Sequence, residues 1–283
     1  MKRTPTKLRK QTTWWQAAGD FVAQPLRESL TEQRDYLDSP EGKRPDWKTM
    51  VMLVSVAVML TLQNYYVTSG SSFLEAPYVR WCERMLASSS WLREDDHGRL
   101  AALSYWTLGN FVIYVAIPAV VVLGFFRRPL SEYGAKLRGW HACWWVYLGM
   151  YLAILPAVLM ASRWSSFQHK YPFYRLAIDE LPGPRFFVWE LLYAVQFVSL
   201  EFFFRGYMIQ AGRKRFGPYV IFVMTIPYCM IHFGKPMPET LGAIVAGILL
   251  GFMALKTRSI WLGAALHIAV AWTMDTLAVL HRL

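Results

Sequence analysis

Six ionisable side chains interrupt apolar stretches of this sequence and are its candidates for chemistry: Glu190, Glu201, Arg205, His232, His267 and Asp275. An ionisable group in a hydrocarbon environment is energetically expensive, so each one is a functional candidate until a structural partner is found. A carboxylate with two imidazoles has the composition needed to hold a divalent metal or to activate a water molecule. The question is which elements would bring these groups together.

Apolar runs long enough to cross a bilayer predict the elements that carry these groups. The runs fall at about 50–68, 100–126, 141–162, 186–209, 217–233, 239–255 and 260–280. With 55% hydrophobic and only 17% charged residues, against about 25% charged in soluble domains, the chain is rich in residues that face lipid. We therefore predict an all-α polytopic transmembrane helical bundle of about seven spans, between six and eight.

The charge distribution predicts how the bundle is oriented. The net charge of +11 suggests nucleic acid in isolation, but basic segments beside long apolar runs favour the cytoplasmic face of a membrane protein. Lys and Arg concentrate in residues 1–49 and in the connections at 127–140, 213–215 and 256–258. We expect a multi-pass protein of the inner (cytoplasmic) membrane with a cytoplasmic N-terminus, with the lipid bilayer as partner and no nucleic acid. The first apolar run begins about fifty residues in, which argues against a secretory signal peptide.

The sequence before the first span has a separate pattern. Trp14, Phe21, Leu26 and Leu30 recur at helical spacing among charged residues, which predicts an amphipathic helix at the inner headgroups. Pro25 would kink that helix, and a solvated basic tail is the alternative. The predicted organisation is a cytoplasmic segment at 1–49, N-terminal spans and loops at 50–180, and a core at 181–283.

Counting from the charged inner ends places three of the candidates at similar depth. At 1.5 Å per helical residue, Glu201 lies about 18 Å in, His232 about 22 Å and His267 about 14 Å. This favours one shared site in spans four, five and seven.

Each candidate also has a structural interpretation. Glu201 and Arg205 are four residues apart and can neutralise each other as a buried intrahelical pair, with or without a site beside them. A single intramembrane histidine can serve only as a hydrogen-bond donor between helices. Glu190 can line the outer part of the same cavity, although we favour a side chain that reaches the outer headgroups. Phe202, Phe203 and Phe204 are expected to face lipid or the core. The small residues of the sixth span are expected to allow close helix packing: Gly242, Ala243, Ala246, Gly247 and Gly251.

At these same residues the sequence is similar to the CPBP family, which includes the type II CAAX prenyl proteases and bacteriocin-processing membrane proteins. The family pattern is Glu-Glu-x-x-x-Arg, then an aromatic residue four before His, then His-x-x-x-Asn/Asp. Here Leu200-Glu201 precede Arg205, Tyr228 precedes His232, and His267 follows in the expected order. The resemblance covers about 186–275.

The resemblance implies proteolysis of a membrane-associated protein or peptide by an activated water, with the histidines positioning that water or a metal and stabilising the oxyanion. It carries Glu201, His232 and His267 over as catalytic residues, with Arg205, Tyr228 and Asp275 in support. A divalent metal such as zinc, held by His232 and His267, is one possibility, and no metal is the other.

Two departures from the pattern bear on activity. Leu200 replaces the first Glu, which the family uses to activate water, and Ala271 replaces the Asn/Asp after the last His. Glu201 would replace that base only if its helix were rotated by about 100°, one residue's worth. Asp275, four residues beyond Ala271, can restore a polar group through a water or pair with another outer-half polar residue.

Two functions from different classes remain at this stage. The first is an intramembrane endopeptidase, and the second is a catalytically degenerate homologue that binds a membrane partner. A small transporter is a third, with little in the sequence to favour it.

Overall fold

The computed structural model describes residues 14–68, 94–137, 141, 143–174, 182–235 and 237–282. Within these ranges the chain forms helices and no strand, so the predicted all-α bundle is confirmed. Residues 69–93, which separate the first two spans and include Cys82, lie outside the described residues.

The α-helices of the described residues are numbered in chain order. They are α1 (Trp14–Asp38), α2 (Trp47–Leu62), α3 (Glu94–Phe111), α4 (Ile117–Val120), α5 (Trp144–Ala161), α6 (Ser165–Lys170), α7 (Pro184–Glu201), α8 (Ile209–Phe216), α9 (Val220–Met230), α10 (Met237–Thr257) and α11 (Trp261–Leu280). Segments of π-helix continue α2 over Gln63–Thr68, join α3 to α4 over Val112–Ala116, extend α4 over Val121–Phe125 and join α7 to α8 over Phe202–Met208.

Six apolar helical stretches in the described residues are long enough to cross a membrane. They are Trp47–Val67, Leu100–Phe125, Trp144–Ala161, Pro184–Met230, Met237–Thr257 and Trp261–Leu280. The chain is therefore a multi-pass membrane protein, and the predicted range of six to eight spans is confirmed.

The fourth of these stretches, 47 residues long, folds back on itself. The Arg205 guanidinium lies 4.0 Å from the ring centre of Tyr228, whereas a continuous helix would separate the two residues by about 34 Å. The reversal falls at Gly217, whose φ of 55° is in the left-handed region that favours glycine. The predicted fourth and fifth spans are thus two arms of a hairpin.

The second arm of the hairpin is shorter than predicted. α9 contains 11 residues and measures about 16 Å, roughly half of a hydrocarbon core. His232 lies beyond its end, in the turn before α10, so the expectation that it sits within a transmembrane helix is wrong. The helix ends because the chain turns through Gly234, at φ 87°.

The basic segments meet at one end of the bundle. α1 packs there, with Glu32 bound to Arg213 after the first arm and to Arg258, 3.1 Å away, before α11. Gln33 Nε2 donates to the Arg215 carbonyl at 2.9 Å. The end of α11 lies at the other end of the bundle, where Arg282 donates to the carbonyl oxygens of Gln168 and Tyr171.

Two packing predictions are settled by the burial of side chains. Phe202, Phe203 and Phe204 are buried in the largest apolar cluster, so the core alternative holds and the lipid-facing one does not. Gly247 and Gly251 confirm the predicted close packing, because a Cβ at either would lie about 3 Å from α9 side chains. The prediction is wrong for Gly242, where a Cβ would meet nothing within 4 Å.

The Glu32 contacts predict a pH-dependent contribution to stability. Burial raises the pKa of the Glu32 carboxyl, but the charges and hydrogen bonds of Arg213 and Arg258 outweigh burial and hold it below its ordinary value of 4.5. A carboxyl with a lowered pKa in the folded state stabilises the fold fully above its ordinary pKa, and this stabilisation is lost as the pH falls through the lowered value.

We therefore expect Glu32→Gln to lower the free energy of unfolding by about 1 to 2 kcal/mol at pH 7 and by less in acid. Thermal unfolding of the detergent-solubilised protein at several pH values measures this difference. Glu28→Gln, one turn away and exposed with Gln24 as its partner, is the matched control. Equal effects of the two substitutions would contradict the role given to Glu32.

Candidate active site

Helices α7 and α11 run antiparallel and face each other through residues spaced four apart. On α7 these residues are Trp189, Tyr193, Phe197 and Glu201, and on α11 they are Gly263, His267, Ala271 and Asp275. Glu201 lies against Gly263, Phe197 stacks on His267 with ring centres 5.4 Å apart, and Trp189 bonds to Asp275. This register places Glu201, His267 and Asp275.

Glu201 is the centre of the site. Its Oε1 lies 3.1 Å from Arg205 Nη1 and 3.0 Å from His267 Nδ1, and the Glu201 and Arg205 side chains are 1% and 0% exposed. The predicted intrahelical pair is therefore present, and it is also joined to a histidine from another helix. A buried carboxylate with two cationic or N–H partners is compensated for its loss of hydration.

Tyr228 on α9 closes this network from the third helix. Its hydroxyl lies 3.1 Å from His267 Nε2, and its ring is covered by the Arg205 guanidinium. In the tautomer that carries the His267 proton on Nδ1, Nε2 accepts and the tyrosine hydroxyl donates. The result is a relay of carboxylate, imidazole and phenol in which Nδ1 of His267 lies 3.0 Å from Glu201 and Nε2 lies 3.1 Å from Tyr228.

His232 adjoins the relay without being part of it. Its ring lies 4.9 Å from the Tyr228 ring, centre to centre, and its Nδ1 donates to the Tyr228 carbonyl at 2.8 Å. In the neutral ring this fixes the proton on Nδ1 and leaves the lone pair on Nε2. Nothing in the part of the chain that the structure describes bonds to Nε2.

Access to the site runs through the two histidines. Glu201, Arg205 and Tyr228 are buried, whereas His232 and His267 are half-buried. A bound peptide or water would therefore meet the imidazoles first, with the ion pair behind them.

The positions that depart from the family pattern are apolar here for structural reasons. Leu200 is buried in the same apolar cluster as Phe203, Phe204 and Tyr228. Ala271 is buried in the cluster that contains Trp189 and Tyr193.

Asp275 and Glu190 form a second polar cluster toward the other end of α7 and α11. Trp189 Nε1 donates to Asp275 Oδ2 at 3.2 Å, and Trp272 Nε1 donates to the Glu190 carbonyl, also at 3.2 Å. Asp275 therefore follows the second alternative, since it lies with other polar groups at this end of the two helices. The expectation that Glu190 reaches the headgroups is wrong, because its side chain is buried beside Asp275 and the two indoles hold the helices together around it.

Several residues that shape the site are not among the sequence candidates. Gly263 gives Glu201 its space, and Phe197 holds the His267 ring by stacking. The signal for both was the spacing of four from Glu201 and from His267, which places them on the same helix faces.

The donor atoms do not suit a divalent metal. Both nitrogens of His267 and Nδ1 of His232 already bind protein groups, and Glu201 Oε1 is bound to a guanidinium that would repel a cation. Among the described residues no group of three or more His, Cys, Asp or Glu side chains could hold an ion. The site thus offers one imidazole nitrogen, fewer ligands than a zinc site uses.

Comparison with known families agrees with this part of the chain. Residues 182–273 match the family model described as Type II CAAX prenyl endopeptidase Rce1-like, about one third of the 283 residues. The resemblance to the CPBP family is therefore confirmed, and the chain is a CAAX-protease-like membrane protein. No curated protein and no solved structure matches the chain.

The contact at Gly263 yields a test of the site geometry. A Cβ added there would lie 2.5 Å from Glu201 Oε2, so Gly263→Ala must displace the carboxylate from its partners. We expect it to lower the free energy of unfolding by about 1 to 3 kcal/mol, as overpacking does.

Gly242→Ala is the control, because a Cβ at that helical glycine meets nothing within 4 Å. It should be neutral or stabilise the helix by about 0.5 to 1 kcal/mol. Thermal unfolding in detergent measures both, and a Gly263→Ala protein as stable as wild type would exclude the contact.

Proposed function

We propose that the chain is an intramembrane endopeptidase of the CAAX-protease type that hydrolyses a peptide bond in a membrane-associated protein or peptide. The observation that carries the proposal is the pair of histidines at the mouth of a buried polar network. One imidazole is locked by Glu201 and Tyr228, and the other keeps an unoccupied Nε2 beside it. A binding protein has no need of an imidazole held in a single tautomer.

In the proposed mechanism His232 is the general base. A water molecule held at His232 Nε2 attacks the scissile carbonyl carbon and gives its proton to that nitrogen. The carbonyl oxygen becomes an oxyanion, and the Tyr228 hydroxyl donates to it in exchange for its bond to His267. The carbon–nitrogen bond then breaks and the imidazolium returns the proton to the leaving amine. The products are a carboxylic acid and an amine, which become a carboxylate and an ammonium when the acid proton passes to the amine.

Glu201, Arg205 and His267 act as positioning residues in this scheme. Glu201 fixes the His267 ring, and His267 in turn fixes the Tyr228 hydroxyl. The Arg205 guanidinium neutralises Glu201 and covers the phenol ring, where its charge favours electron density on the phenol oxygen. Glu201 itself does not serve as the base, since its carboxylate is 1% exposed and already has two partners.

The orientation is part of the same proposal. The basic segments gather at one end of the bundle, which by the positive-inside rule is cytoplasmic. His232 then lies toward the opposite end, near Lys235 and Glu239, whose side chains pair at 2.6 Å. We infer a protein of the inner membrane whose substrate enters the site from the bilayer or from its outer face.

The competing function is that of a degenerate homologue that binds a membrane partner without cleaving it. Leu200 favours this candidate, because the family's water-activating Glu is replaced by a side chain packed in the core. The two candidate functions differ in whether His232 can act as the general base in place of the missing glutamate.

We expect the protein in proteoliposomes to cleave members of a library of lipid-anchored peptides, with products read by mass spectrometry. His232→Gln should lower the rate by about 10²- to 10⁴-fold, the usual contribution of a general base. His281→Gln is the control, because that histidine bonds to Ser162 at the far end of α11. A His232→Gln protein that cleaves at the wild-type rate would refute the assignment.

The degenerate candidate makes the opposite prediction for a second pair of proteins. If wild type cleaves no peptide while Leu200→Glu, alone or with Ala271→Asn, creates cleavage, the site is intact but lacks a base, and binding is the function. Since Ala271 packs among aromatic rings, the single Leu200→Glu variant is the cleaner comparison.

A further inference from the structure

The N-terminal helix α1 has one face that packs on the bundle. Pro25 and Ser29 are buried there, and Phe21, Glu32 and Tyr36 are half-buried, at helical spacing of three or four residues. Glu32 on this face binds Arg213 and Arg258, and Lys256 Nζ donates to the Phe21 carbonyl at 3.0 Å. This face accounts for how α1 is held.

A second face of α1 carries exposed apolar side chains. Val22, Leu30 and Leu37 recur at steps of seven or eight residues, so they lie in one stripe along the helix. Their exposed fractions are 50%, 46% and 37%. A stripe of this length on a surface helix marks a contact with something apolar.

The third face is charged and points away from both. Its exposed members include Asp20, Glu28, Thr31 and Asp35, while Arg27 and Arg34 lie between this face and the apolar stripe. Long basic side chains at the edge of an apolar stripe are suited to phosphate groups, because their stems cover apolar surface while their charges remain in the headgroup layer.

The position of α1 along the bundle follows from its aromatic contacts. The Phe21 ring lies 5.7 Å from Trp145 at the start of α5, and the Lys256 ammonium lies 3.7 Å from the centre of the Phe21 ring. Trp144 and Trp145 on α5 and Trp47 on α2 are exposed at the same end of the bundle. Exposed tryptophans at the ends of spans mark the membrane interface, so α1 lies at the level of the headgroups.

We propose that the apolar stripe of α1 inserts into a phospholipid surface at the basic end of the bundle, with Arg27 and Arg34 at acidic headgroups and the acidic face in water. Lipid fits the stripe because the stripe continues the exposed apolar surface of the spans at the depth of their tryptophan belt. α1 then links the bilayer surface to both helices of the candidate site, since Glu32 joins the ends of α8 and α10 that lead out of α7 and into α11.

Spin labels on the full-length protein test this proposal. In a background with Cys82, Cys143 and Cys229 replaced by Ser, single cysteines are introduced as Leu30→Cys on the stripe and Asp35→Cys on the charged face. The labelled proteins are reconstituted in vesicles of phosphatidylglycerol and phosphatidylcholine. Collision rates with oxygen, which concentrates in lipid, and with a water-soluble nickel chelate are then compared.

We expect the Leu30→Cys label to favour oxygen and the Asp35→Cys label to favour nickel, so that the ratio of the two rates reverses between the sites. A Leu30→Cys label that favours nickel as strongly as Asp35→Cys would mean that the stripe lies in water and would overturn the proposal. A Leu30→Cys label protected from both reagents would indicate that the stripe contacts a second protein surface and not lipid. That result would also overturn the proposal. Thermal unfolding of each variant shows that the bundle is intact.

Discussion

The buried carboxylate of Glu201 is the constraint on which the rest of the site depends. Without hydration, this charge needs compensation inside the bundle, and Arg205 on the same helix and His267 on α11 provide it. Both partners must approach the same oxygen, so the two helices have one register. Gly263 is part of that requirement, because any larger residue would occupy the space of the carboxylate.

The register fixed at Glu201 determines what lies opposite each following turn. Phe197 covers His267, the cluster of Trp189 and Tyr193 encloses Ala271, and Asp275 meets the Trp189 indole. The second carboxyl cluster is therefore a structural consequence of the first, about three turns along α7. The polar residues of α7 and α11 divide into a site that borders two half-buried histidines and a buried cluster that joins the helices. From the sequence alone, both groups of polar residues are equally good candidates for a functional site.

Much of the fold followed from the sequence because long apolar runs and a four-residue spacing are local signals. The spans and the Glu201–Arg205 pair were predicted in this way. Glu190 and His232 were misplaced because their environments depend on other helices and on where a helix ends. The indoles beside Glu190 lie there because α7 packs on α11. α9 ends at Met230, whereas the apolar run of the sequence continues to residue 233. The spacing of four from His267 places Gly263 on the right helix face, but its role depends on the Glu201 side chain, more than sixty residues away.

The tautomeric states of His267 and His232 are the most direct test of the relay through His267 and of the lone pair on Nε2 of His232. In reconstituted protein, ¹⁵N chemical shifts of the imidazoles report which nitrogen carries the proton. We predict that Nδ1 carries the proton and Nε2 is the acceptor in the rings of both His267 and His232. Tyr228→Phe should shift Nε2 of His267, and Glu201→Gln should shift its Nδ1, while Nε2 of His232 keeps its shift in both variants. A proton on Nε2 of His232, or a His267 ring that responds to neither substitution, would contradict the account.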